Sequence, residues 1–580
     1  MPFYPTLTEG YIQRQLTDVF AGYNHNLKIN DGEFYDTRNL CTDFYPMLAN
    51  RKLRSTSDIE LTAPQGIIAK DALAYVDNGT LYYNETETPV TGLKPGEKKL
   101  VGMGAYICIW PDKVYYNTEK ADDYGSMEAS YSYTGRTSYK MCDMFGEEYG
   151  EAAQVKPAEP EDGELWIDID NNELKKYSAG NGIWISIPQV YTKITFDTSQ
   201  GELNGFKDYD GVQIEGAHFE ELNGSKILYK VRSEEGSMDY IVVVGILQTD
   251  IGFDEETITV KRSIPAMDYV CECQNRLWGC FFGNDGTQNL NEIYCCALGD
   301  FKNWEQYLGV STDSWRASVG SDGKWTGAIN FLGYPTFFKE DRIHTVSVSA
   351  YGAHQIADTP ARGVQDGSYK SLQVVNETLY YKSRTDICAY QGGFPESVSA
   401  ALGDVKYYKA VAGSYGKKYY VSMHDSEDKP HFFCFDIEKG LWMKEDELDA
   451  VQFTRVDDAL YCLAADGSLI DINGTVGNPE GQTEWSAETG IIGYEYPDKK
   501  YVSRFNFRLK MGKGARADLY IEYDSSGVWV HNGKIQLRNV GTVTLPVRPR
   551  RCDHLRLKLT GHGDVRVFSI AKLLEQGSDM

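Results

Sequence analysis

GIIAKDALAYVDNGTLYYN, residues 66–84, is the stretch that decides the fold. Asn78-Gly79 supplies the positive φ angles of a two-residue hairpin, so the run reads as two short strands about an Asp77-Asn78-Gly79 turn. KLVGMGAYICIWPDKVYYN, residues 99–117, repeats the plan with Pro111-Asp112 at its turn. After an interruption the texture resumes in MDYVCECQNRLWGCFF (267–282), NEIYCCALGDFKNW (291–304) and KWTGAINFLGYPTFFKEDRIHTVSVS (324–349). It continues through QVVNETLYYKSRTDICAY (373–390), KKYYVSMHDSEDKPHFFCFDIEKGLWMK (417–444) and VQFTRVDDALYCLAADGSLIDI (451–472). The later units recur at roughly 35–50 residues, the size of a four-stranded propeller blade. Closing such units into a ring covers all their edges at once, so the expected fold is all-β, a propeller of about six to eight blades. A two-sheet sandwich is the structural alternative.

Composition agrees with strands and turns: the 580 residues include 41 Tyr and 56 Gly, and long helical runs of Ala, Leu, Glu and Lys are missing. The expected domains are an extended N-terminal arm (1–60), first propeller strands (61–120), inserted β modules (121–265), the remaining blades (266–476) and a C-terminal β-sandwich (484–575). Within the insertion, GELWIDIDNNELKKYSAGNGIWISI, residues 163–187, reads as a three-stranded meander with Trp166 and Trp184 as packing partners. The following segment reads as a small barrel or sandwich.

The formal charge of −26 opposes general binding to a phosphate backbone. Residues 501–572 differ, with 14 Lys and Arg against 5 Asp and Glu, which points to docking on an acidic surface. No apolar run approaches the roughly 20 residues of a membrane helix, and the start of the chain lacks the order of a secretory signal, so folding in a cytoplasm is expected. The twelve cysteines then read as reduced and buried. Cys271, Cys273, Cys280, Cys295 and Cys296 lie close together, but C-x-C followed by an adjacent pair is not the spacing of paired zinc hooks, and no metal or cofactor is expected.

No catalytic constellation assembles. There is no G-x-S-x-G, no H-E-x-x-H and no P-loop. Propellers can act on glycosides with paired carboxylates, yet Ser321-Asp322-Gly323-Lys324-Trp325 and Asp524-Ser525-Ser526-Gly527-Val528-Trp529 fall short of an aspartate-box repeat and read as turns. The expectation is a chain that is not an enzyme.

Asn39 to Arg54, NLCTDFYPMLANRKLR, reads as an extended arm. Pro46 blocks a helix and biases Tyr45 towards extended geometry; Phe44, Met47 and Leu48 anchor the arm; Arg51, Lys52 and Arg54 stay near water or an acidic partner. This segment, with Gln274-Asn275-Arg276-Leu277-Trp278-Gly279, the 163–187 meander, and the ending from Arg550-Arg551 to Arg566 and Ile570, resembles in composition and order the tailed-bacteriophage virion proteins known as packaged-DNA stabilisation or tail hub (nozzle) proteins. The resemblance implies a structural protein of the virion tail, made in the bacterial cytoplasm. It would assemble as a ring with itself, a hexamer being one candidate, below the portal and adaptor. There it would meet other tail proteins and retain and pass DNA without reading its sequence, and it would use no membrane. Tyr45, Pro46, Arg51, Lys52, Arg54, Arg550, Arg551 and Arg566 are the candidate subunit or partner contacts. The alternative is a secreted or surface glycan-binding propeller, with or without glycoside hydrolase activity, which requires a concave aromatic patch with paired carboxylates.

Overall fold

A computed structural model describes residues 12–349, 353–493, 499–537 and 539–576. The chain is all-β, with three short 3₁₀ turns and no α-helix among these residues. Seven antiparallel sheets follow one another as blades. Their first strands are Pro64–Lys70, Lys99–Met103, Tyr269–Glu272, Gly327–Phe331, Gln373–Val375, Tyr408–Tyr415 and Ala450–Val456.

The first strands lie innermost, and each junction between blades has its own apolar cluster. Ala74 and Val76 meet Ile107 and Ile109 between the first and second, and Cys271, Cys280 and Trp278 meet Trp325 and Phe337 between the third and fourth. Ile67 and Tyr75 of the first blade pack on Leu463 and Leu469 of the last, which closes the ring. The opening hairpin forms as its turn chemistry dictates: Ala72–Asp77 and Thr80–Tyr83 pair across Asn78 (φ 49°) and Gly79 (φ 79°).

The last blade takes its fourth strand from the front of the chain. Ser55–Glu60 pairs with Ser468–Asp471, so the N-terminal region latches the ring shut. The expectation of an extended N-terminal arm over 1–60 is corrected more broadly, apart from residues 1–11, which lie outside the described residues. Ile12–Thr17 pairs with Val565–Gln576, and Glu33–Arg38 pairs with Glu484–Thr489, so the two ends of the chain build one terminal sandwich of two six-stranded sheets. Its core includes Phe34, Leu40 and Leu48 from the front, with Phe505, Leu519 and Leu557 from the back.

The insertion between the second and third blades is a seven-stranded sheet spanning Ala129–Cys142 to Ile251–Arg262, with the meander attached through Leu165, Ile167 and Leu174. Trp166 and Trp184 pack edge to face at 5.5 Å. All twelve cysteines are free thiols in buried positions, and those of the third blade fill the apolar clusters on its two flanks.

Candidate functional site

The segment from Asn39 to Arg54 is not an extended arm. Leu40–Cys41 and Leu48–Asn50 pair as a small hairpin, and the Tyr45–Pro46 peptide, which is cis, lies in its turn. Asn39 adopts a positive φ, and its side-chain amide donates to the Glu484 carbonyl at 2.7 Å.

Arg51 and Arg54 do not stay near water: they are only 6 % and 5 % exposed. Arg54 donates to Asp446 and Glu445, both at 2.7 Å, and lies over the Phe432 ring. Burial acts to lower its pKa, but Asp446 and Glu445 outweigh that and raise it. Arg51 pairs with Glu480 and donates to Asn39 Oδ1 at 2.8 Å. Two arginines therefore lock the latch onto the sixth blade and the linker to the sandwich, an intrachain role that five carboxylate and amide oxygens satisfy.

Tyr45, Pro46 and Lys52 are exposed. Arg550 and Arg551 are exposed as well, Arg550 over the Tyr523 ring, whereas Arg566 stacks on Phe44 at 3.6 Å and ties the hairpin to the sandwich. None of these residues shares a cleft with the group described next.

That group lies where the innermost strands begin. Glu97 and Lys99, Asp268 and Tyr269, Lys324 and Trp325, and Asp366 come from four successive blades and line one cavity of about 510 Å³, with Trp110 and Phe282 in its wall. A second cavity of about 540 Å³, lined by Pro64, Gln65, Asn78, Pro95 and Lys370, adjoins it, because Glu97 lines both. The ring geometry explains the convergence: residues just ahead of each first strand meet at one mouth of the channel.

Two of the three carboxyls lining the cavity are pushed in opposite directions. Burial pulls the Glu97 pKa up, but Lys370 (2.7 Å) and the Tyr369 hydroxyl (2.6 Å), helped by Lys99, outweigh it and hold Glu97 below the usual carboxylate range. Burial raises the pKa of Asp268, against the opposing hydrogen bond from the Phe282 N–H at 2.8 Å and the charge of Lys99. Lys99 sits between them, over the Tyr269 ring at 4.0 Å and the Tyr369 ring at 5.1 Å, and donates to the Asp268 carbonyl. One carboxyl with its pKa raised and one with its pKa lowered, in one cleft with aromatic walls, is the direction of division an acid–base pair needs.

A tier behind the cleft fixes its walls. The buried pair Lys98–Asp112, at 2.5 Å, pins the turn that carries Trp110 to the strand start that carries Glu97 and Lys99. Trp325 donates its indole N–H to the Phe281 carbonyl at 3.2 Å and packs on His344 and the Lys339 ammonium. Lys339 and His344 in turn bind Ser321, so the loop singled out in sequence as a near aspartate turn is held from within and presents Lys324 and Trp325 to the cleft.

Sequence reasoning missed Glu97, Lys99, Asp268 and Asp366. The usable signal was positional: charged and aromatic residues stand within about seven residues ahead of a blade's first strand, or at its start, in GEKK, MDY, GKW and QDGSYK.

Comparison with protein-family models gives no match, and comparison with curated proteins gives none either. Among solved structures, similarity is found to an exo-β-1,3-galactanase from Phanerochaete chrysosporium, at 7 % identity over 52 % of this chain and 95 % of that one, TM-score 0.21. A glycoside hydrolase matches at 11 % identity over 52 % and 96 %, TM-score 0.21. The extracellular domain of a hybrid two-component system from B. thetaiotaomicron matches at 8 % identity over 92 % and 98 %, TM-score 0.24. Likenesses at these scores carry no argument about substrate. The expectation that the chain is not an enzyme is nevertheless corrected: it rested on missing motifs, and glycoside hydrolases stand among the structural neighbours.

Proposed function

We propose that the channel mouth is a carbohydrate-binding cleft in which Asp268 and Glu97 act on a glycosidic bond. The observation that carries this reading is the pair of carboxyls, shifted in opposite directions, lining one cavity with Trp110, Tyr269, Phe282 and Trp325. Aromatic faces stack on the apolar faces of sugar rings, and polar groups between them take hydroxyls. Asp268, the carboxyl whose pKa burial raises, is the one to donate to the leaving oxygen, and Glu97, whose pKa is lowered, faces the developing positive charge at the anomeric carbon or activates water. The cavity beyond Glu97 gives an oligomeric ligand room on both sides of the reacting bond.

The test is a glycan array with the whole chain, followed by reducing-end release from the glycans bound. Glu97→Gln and Asp268→Asn should keep binding and lower turnover by about 10²-fold or more each. A wild-type chain that binds no glycan would overturn the reading.

A second reading is a tail component of a phage virion, in a ring beneath the portal. What supports it is the order of the four sequence segments described above. Immunogold labelling of particles from a producing culture tests it: gold at the tail is expected, and unlabelled particles with free antigen would remove it. A particle-borne propeller can also bind surface glycans, so the two readings are tested separately.

A further inference from the structure

The outer face of one sandwich sheet is unusually cationic for this chain. On Lys500–Met511 the residues alternate strictly after Ser503: Phe505, Phe507, Leu509 and Met511 are buried, while Arg504, Arg508 and Lys510 are exposed. Arg566 lies opposite Lys510 on Val565–Gln576, and Arg14, from Ile12–Thr17, lies opposite Leu573, which is itself opposite Arg504. The other neighbours on this face are uncharged, polar at Asn506, Ser569, Thr542 and Thr544 and apolar at its borders, where Leu16 and Val540 are exposed. Carboxylates stand only at its margins, Glu575 near Arg504 and Asp564 at 3.7 Å from Arg566. Among the described residues Arg14, Arg504, Arg508 and Lys510 form no ion pair. Like charges side by side on a strand repel one another, so a row of this kind is relieved by an anionic partner.

The same chain offers the complementary surface elsewhere. Ser55–Glu60, the latch strand of the last blade, exposes Asp58 and Glu60, and the outermost strand of the first blade, Thr86–Glu87, exposes Glu87 with Glu85 beside it. These strands are neighbours at the ring's closing seam, where Ile59 and Tyr82 belong to one apolar cluster. No cation pairs with Glu60, Glu85 or Glu87 among the described residues.

We infer that the Arg504–Arg508–Lys510 face of one copy docks on the Asp58–Glu60–Glu85–Glu87 rim of a second copy of this chain. Because the two patches differ, the contact is head to tail and propagates to a closed ring or an open filament. This goes beyond the carbohydrate reading and does not depend on it.

The experiment is sedimentation velocity of the purified chain at 50 and 500 mM NaCl over a concentration series. The wild type should self-associate at low salt and weaken at least tenfold at high salt. Arg504→Glu with Arg508→Glu, and separately Glu85→Lys with Glu87→Lys, should each remain monomeric, while an equimolar mixture of the two variants should associate again. All four side chains are exposed, and unchanged thermal unfolding confirms that each variant is folded. A wild type that stays monomeric at 50 mM NaCl overturns the inference, as does a double variant that associates like the wild type or a mixture that fails to recover. A monomer that instead binds double-stranded DNA through the basic face would assign that face to nucleic acid and also overturn it.

Discussion

Two charged clusters of this molecule use the same residue types for opposite ends. At the latch, Arg51 and Arg54 meet Glu445, Asp446 and Glu480 in a setting where both arginines and Glu445 are almost wholly buried. At the channel mouth, Lys99 and Lys370 meet Glu97 and Asp268, but Glu97 keeps about half its side chain in solvent and two cavities open on it. The first cluster buries both arginines and aims them at carboxylates of the same chain, with the Arg54 Nε left without a partner, whereas the second keeps a half-exposed Glu97 that a ligand can reach. Burial of the charged groups, rather than charge content, separates a structural lock from a site.

The comparison breaks most visibly at the latch. Arg54→Met leaves Glu445 buried without its 2.7 Å partner and removes one from Asp446, so it should cost about 3–5 kcal/mol, read as a shift in the urea midpoint. Because Ser55–Glu60 follows directly, hydrogen exchange should rise first along that strand and its neighbour Ser468–Asp471. Protection lost evenly over all seven blades would show that the ring does not depend on this lock.

A smaller effect lies in the tier behind Trp325. Burial holds the pKa of His344 down at about 4, with Lys339 and Arg342 reinforcing burial and Asp358 opposing it. The sign follows from proton counts. Between an unfolded pKa near 6.5 and the folded value, the unfolded chain binds the extra proton, so the stability His344 contributes is complete above about pH 6.5 and is lost as pH falls towards 4. His344→Gln can keep a bond to Ser321 and removes the titration, so the slope of stability against pH in this window should flatten. An unchanged slope would assign the acid loss to other groups.

What could be read in the sequence follows from the range of the interactions involved. The hairpins were legible because turn chemistry is local: Asn78-Gly79 fixes its own φ angles, and the meander strands, which the Asn-Asn and Asn-Gly turns place at 164–169, 173–177 and 183–187, are found within a residue of those bounds. The alternation of Phe505, Phe507 and Leu509 likewise announces a half-buried strand. The destination of the N-terminal region was not legible, since Glu33–Arg38 pairs with a strand about 450 residues later and no local pattern encodes that distance. Arg51 and Arg54 read as lying near water or an acidic partner, and which of the two was not legible for the same reason: their carboxylates are about 390 to 430 residues away. The mouth was hidden in a different way. Glu97, Asp268 and Asp366 are single residues ahead of three separate strands, and they become a cluster only once the ring has closed.

The smallest expected change in stability is also the one that defines the site. Glu97→Gln keeps the shape of a half-exposed side chain and an acceptor oxygen for Tyr369, losing mainly the attraction of Lys370 and Lys99. Exposed ion pairs contribute little, so the midpoint of unfolding should move by no more than about 0.5 kcal/mol. Removing the Glu97 charge also removes a group that counters the effect of burial on Lys99, so the ammonium's pKa, already lowered, should fall further. Lys99 stays charged where Asp268 titrates, and the lost anion takes a like charge out of the same cleft, so the Asp268 pKa should not rise in the variant and the alkaline limb of any pH profile for turnover should hold or move downward. A large loss of stability from Glu97→Gln would instead make the mouth a second lock, with no capacity left for a ligand, and the contrast between the two clusters would disappear.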